Sequence, residues 1–130
     1  MALIAVPIAA ASAADLLARA HRARNAGADA VEVRLDGCAT QELAPLAAAA
    51  AIAELPLPAI ATLRHRDEGG AWHGEPAERR AVYERAEAAG AAYLDCELAF
   101  AAGLGWRPRR ARWILSRHDF HGPGGELEAD

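Results

Sequence analysis

At 130 residues, 53% hydrophobic and 25% charged, the chain has the composition of one ordinary globular domain. A net charge of -4 argues against a broad nucleic-acid surface, since phosphate binding needs clustered positive charge. Two isolated cysteines, Cys38 and Cys96, supply neither a disulfide framework nor a CxxC metal knuckle and fit a reducing, cytoplasmic compartment.

The opening MALIAVPIAAASAAD imitates a secretory signal. No basic residue precedes its apolar run, however, Pro7 interrupts it, and it is too short to span a bilayer. It reads as a first buried strand over residues 3–8, and no membrane partner is expected. Ser12 followed three residues later by Asp15 resembles a capping box, Leu16, Leu17 and Ala20 form an apolar stripe, and Gly27 supplies a stop, so a helix fills the interval. AVEVRLD, residues 30–36, is a second strand; an Ala- and Leu-rich helix follows from Thr40 and ends before PLP; AIATLR, residues 59–64, is a third strand.

The loop HRDEGGAWHGE leads to Pro76, well placed in the first turn of a helix running to Gly90. Its glycines and Trp72 suit either a flexible lid or an ordinary loop whose tryptophan packs on a rim. AAYLDCEL, residues 91–98, is a fourth strand and RWILSRHDF, residues 112–120, a fifth. Between them Gly103, Gly105 and Pro108 leave room only for a short or broken helix.

Strands alternating with helices imply parallel pairing through right-handed crossovers, an α/β architecture. Successive side chains on a strand point to opposite faces. Val31, Val33 and Leu35 therefore oppose Glu32, Arg34 and Asp36; Ala61 and Leu63 oppose Thr62 and Arg64; Leu94, Cys96 and Leu98 oppose Asp95 and Glu97; Trp113 and Leu115 oppose Ser116 and His118. A doubly wound sheet buries both faces under helices and would leave those charges unpaired. A parallel (β/α) barrel of the TIM type resolves the conflict, because its helices lie outside and its reactive groups sit at the C-terminal strand ends, where Arg34, Asp36, Arg64, Glu68, Glu97 and His118 all fall. Five strands of the usual eight are countable, so the expected architecture is an incomplete barrel.

The motifs GADAVEVRLD, TLRHRDEGG, YLDCEL and SRHDF, in that order, resemble type I 3-dehydroquinate dehydratase, a shikimate-pathway lyase. The resemblance runs from IAVPI to HDF and implies that residues 1–130 are the N-terminal portion of a single (β/α)8 domain, with a half-barrel completed by another chain and a relic without activity as the alternatives. It implies dehydration of 3-dehydroquinate through a Schiff base on a lysine, with a histidine moving protons. An iminium is an electron sink for the carbanion formed beside it, and a base must stand within hydrogen-bond reach. His118 matches the proton-transfer histidine and Glu68 the carboxylate that orients it. Glu32, Arg34 and Arg64 match the groups that bind substrate, while Asp36, Asp95, Glu97, Ser116 and Asp119 match supporting positions. No cofactor is implied; a homodimer is an expected partner form. The family's lysine lies on the strand after the histidine's, yet all 14 basic residues here are arginine.

Two readings compete with a catalytic one. A non-catalytic half-barrel or small-anion binding module would use Arg34 and Arg64. A zinc centre would need His65, His73, His118 and His121, but the last two, spaced as on a helix, fall at a strand end and in a loop, so no metal is expected.

Overall fold

Short helical returns carry the chain back to the same end of one sheet, so its strands pair in parallel in chain order. The computed structural model describes residues 3–38 and 43–118. The elements are β1 (Ala5–Ile8), α1 (Ala13–Asn25), β2 (Ala30–Arg34), α2 (Leu35–Cys38), α3 (Pro45–Ala51), β3 (Ala59–Thr62), α4 (Pro76–Ala88), β4 (Tyr93–Glu97), α5 (Leu98–Ala101) and β5 (Arg112–Ser116). The sheet order is β1-β2-β3-β4-β5, and the chain is α/β with the crossovers of a TIM-type barrel wall. None of the described helices is long and apolar enough to cross a membrane.

Local chemistry sets the two long helices. The Ser12 hydroxyl accepts the Asp15 amide at 3.0 Å, and the Asp15 carboxylate takes the Ala11 amide and the Arg19 guanidinium. At the start of α4, Glu75 and Glu78 form a reciprocal capping box around Pro76. Both helices stop in the same way: Gly27 and Gly90 adopt φ of 101° and 98°, and the residue after each bonds back to Ala23 or Ala86. Only glycine enters that left-handed region without strain.

The predicted division of faces is present. Val31, Val33, Leu35, Ala61, Leu63, Leu94 and Cys96 are fully buried beneath α1, α3 and α4, together with Leu16, Ala20, Ala48, Tyr83 and Ala86. Each fully buried aliphatic side chain contributes about 1.5–3 kcal/mol relative to exposure. At the far end of the sheet the pattern fails. Leu98 and Leu115 were expected against a helix layer and are instead 61% and 50% exposed. The connection after β4 is the expected short helix, α5 followed by a single 3-10 turn, Ala102–Leu104, so among the described residues no long helix covers the outer face of β5.

Four strands end earlier than their hydrophobic pattern suggested. β2 stops at Arg34 and turns into α2, so Asp36 is helical rather than a strand residue; β3 stops at Thr62, β4 at Glu97, one residue early, and β5 at Ser116. The early stops free Asp36 and Arg64 from the ladder for the contacts described below. Thr40 and Asp119 lie outside the described residues. The loop between β3 and α4 is tied rather than lid-like: Trp72 is nearly buried, its amide donates to the Arg64 carbonyl, and its carbonyl accepts the Arg66 amide.

One carboxylate anchors the approach to β5. Glu87 accepts the amides of Arg109, Arg110 and Ala111 at 2.7, 2.8 and 3.0 Å. Partial burial pushes its pKa up, but the three amides outweigh this and hold it below the ordinary 4.5. A carboxyl with a depressed folded pKa contributes stability above its unfolded value and loses it as pH falls through the folded one. The stability advantage of the wild type over Glu87→Gln is therefore expected to be flat at neutral pH and to shrink on acidification below 4.5. Urea titrations of both proteins over that range check it, and an advantage that grows on acidification would contradict the amide cradle.

Candidate active site

Arg64 stands just beyond the end of β3, and its guanidinium reaches across two neighbouring strands. Nη2 donates to Asp95 at 2.8 Å, while Nη1 donates to Glu97 and to the Ser116 hydroxyl, both at 2.7 Å. Ser116 in turn donates to Asp95 at 2.8 Å. The ring of bonds links β3, β4 and β5 at their C-terminal ends. Burial disfavours the Arg64 cation, but Asp95 and then Glu97 overcome that and raise its pKa, so it is a permanent charge.

On the β2 side, Asp36 accepts the Arg64 and Ala71 backbone amides at 3.1 and 3.2 Å and the Arg34 guanidinium at 3.1 Å. Asp36 thereby fixes where the β3 loop departs. The Arg34 side chain retains 34% of its exposure, which makes it the open cation of this edge. Deeper on the same face, Glu32 accepts the Thr62 hydroxyl at 2.7 Å.

Glu68 and His118 are brought together from residues 50 apart, the His118 amide donating to Glu68 Oε1 at 2.7 Å. The carboxylate therefore holds the histidine by its backbone, a contact that spacing in sequence does not disclose. A cleft of about 560 Å³ lies against both, with Leu98, Phe100 and Arg117 in its walls. Glu32, Arg34 and Arg64 do not line it; of the three only Arg64 reaches toward it, through its bond to Ser116, two residues before His118. A roomier cleft of about 890 Å³ between the C-terminal half of α4 and the 105–110 loop holds none of the inward groups, so we assign it no chemistry. No group of three metal-ligating side chains occurs among the described residues.

Sequence reasoning missed Arg79. It is 3% exposed on α4, and its Nη2 donates to Glu97 Oε1 and to the Leu63 carbonyl, both at 2.5 Å. Its guanidinium carbon stands 5.7 and 5.4 Å from the centroids of the Tyr83 and Phe100 rings. A signal was available: Arg79 leads the spacing Val82, Tyr83, Ala86, an arginine at a core position of an apolar stripe.

The family profile described as type I 3-dehydroquinase matches residues 4–128. A bifunctional 3-dehydroquinate dehydratase/shikimate dehydrogenase of Arabidopsis thaliana, a chloroplastic protein, is 35% identical over 124 residues, covering 91% of this chain and 20% of that protein. A 3-dehydroquinate dehydratase of Desulfotalea psychrophila is 36% identical over 100 residues, covering 72% of this chain and 42% of its own length. The solved 3-dehydroquinate dehydratase of Enterococcus faecalis superposes with a TM-score of 0.67 at 28% identity, over 91% of this chain and 54% of that one. The chain thus spans between a fifth and about half of the relatives it resembles.

Proposed function

The chain belongs to the type I 3-dehydroquinase family, and from that premise we propose that residues 1–130, as the N-terminal portion of one (β/α)8 domain, build the substrate-binding and proton-transfer side of a 3-dehydroquinate dehydratase site. The observation that carries this reading is the Arg64 ring with Asp95, Glu97 and Ser116. It is a permanent cation at the C-terminal ends of parallel strands, where this barrel architecture gathers its reactive groups.

In this reading the His118 imidazole takes the proton beside the substrate ketone and returns one to the departing hydroxyl, regenerating itself as water leaves. Glu68 holds His118 in reach through the backbone amide. Arg34 meets the substrate from the open rim, and Glu32 and Arg64 bind hydroxyls from the floor. The Schiff base requires a primary side-chain amine, and with no lysine among the 130 residues that electron sink comes from outside them. The buried free thiols Cys38 and Cys96, whose pKa values burial raises, suit the cytoplasmic compartment that belongs to this proposal. A homodimer is the assembly proposed with it.

The missing lysine favours one second reading, a non-catalytic module that binds small anions through Arg34 and Arg64. Isothermal titration separates the two. A dehydratase-type site binds 3-dehydroquinate, loses affinity in Arg34→Ala, and ignores inorganic phosphate; an anion module binds both ligands. Borohydride added to the mixture is expected to trap no side-chain adduct on this chain. A wild type that does not bind 3-dehydroquinate would overturn the proposal, and a trapped adduct would overturn the assignment of the amine.

A further inference from the structure

Arg79 belongs to the outer helix layer, yet its strongest contact is to a carboxylate of the reactive face. Glu97 is fully buried and shared by two arginines: Oε1 accepts from Arg79 and Oε2 from Arg64. Oε2 also lies 3.4 Å from the His65 amide, where the loop carrying Glu68 begins. Arg79 itself has little freedom. The Leu63 carbonyl, the Tyr83 hydroxyl at 3.4 Å and the faces of the Tyr83 and Phe100 rings surround its guanidinium.

We propose that Arg79 is a positioning residue: acting through Glu97, it sets the orientation of the Arg64 guanidinium toward Asp95 and Ser116, and so the binding geometry of the strand-end site. This rests on the function proposed above for that site. The physical reason is competition. Arg64 Nη1 serves both Glu97 and Ser116. With Arg79 present, Glu97 has one oxygen committed to each arginine, and Arg64 can keep Ser116 as a second acceptor. Without it, Glu97 keeps a single cationic partner in a dry surrounding, where charge-assisted bonds are strong, and draws the Arg64 fork toward both of its oxygens. Ser116 then loses its donor, and Asp95 keeps only the Ser116 hydroxyl.

The test compares wild type with Arg79→Lys and Arg79→Met, folding being checked by circular dichroism. In the ligand-free chain, the side-chain NMR resonances of Arg64, assigned through Arg64→Lys, are expected to shift in Arg79→Met and to move back toward the wild-type position in Arg79→Lys. Titration with 3-dehydroquinate is expected to weaken by about 10- to 100-fold in Arg79→Met, the scale of a small misplacement at a binding centre, with partial recovery in Arg79→Lys. A role in packing alone would lower the melting temperature and leave both readouts of the folded protein at wild-type values, which would overturn the proposal. Should Arg79→Met not fold, unchanged Arg64 signals and affinity in Arg79→Lys would do the same. If Arg64 shifts while the wild type fails to bind 3-dehydroquinate, the positioning stands and the function proposed for the site falls.

Discussion

Arg64→Met is expected to cost about 3–5 kcal/mol of stability and to abolish 3-dehydroquinate binding, the cost being that of removing one partner from a buried ion cluster. The substitution approximately preserves volume, so loss of packing is not the main term. Its effect is to strand Asp95 and Glu97, whose side chains are 10% and 0% exposed, with Arg79 as the nearest remaining cation. The Ser116 hydroxyl would keep Asp95 as acceptor but lose its charged donor. Domains of this size have about 5–15 kcal/mol in total, so the variant stands near its unfolding threshold. Arg64→Lys keeps the charge but cannot reach three acceptors with a planar fork, and falls between the two. Urea denaturation measures the difference directly. A loss below about 1 kcal/mol, the range of exposed pairs, would mean that the cluster is solvated and that the ring is not a rigid floor.

Gly70→Ala is expected to be the second large effect, for a reason of space. A Cβ at this position would overlap the Arg64 carbonyl oxygen and the Arg64 Cβ, neither of which is the free end of a flexible chain. The loop must move, and three bonds bind it where it is: Gly70 to the His65 carbonyl, Trp72 to the Arg64 carbonyl, and Ala71 to Asp36. Overpacking of this kind costs about 1–3 kcal/mol. Its functional consequence exceeds its structural one, because Glu68 rides on the same loop and would release the His118 amide. Hydrogen exchange at that amide should quicken, and 3-dehydroquinate affinity should fall by about 10- to 100-fold. Wild-type protection of the His118 amide in Gly70→Ala would show that Glu68 is held independently of the loop.

These effects bear on what a sequence discloses. Alternation is a local property with period two, so the division of Val31, Val33 and Leu35 from Glu32 and Arg34 could be read directly, and with it the side of the sheet that carries the chemistry. Caps and stops at Ser12, Gly27, Pro76 and Gly90 were legible for the same reason, since each acts within a few residues. The exposure of Leu98 and Leu115 was not, because it depends on whether a helix follows to cover them, which no alternating pattern reports.

By itself the sequence determined an α/β chain of parallel units, an acid–base-bearing face, and the ordered motifs that tie it to its family. Only the tertiary structure decided which groups meet. Arg64 and Ser116 are 52 residues apart, Glu68 and His118 50, and Arg79 and Glu97 18, on different elements. Such pairings follow from strand register and from where each strand ends, and a slip of one residue would turn the strand members, Glu97 on β4 and Ser116 on β5, to the opposite face.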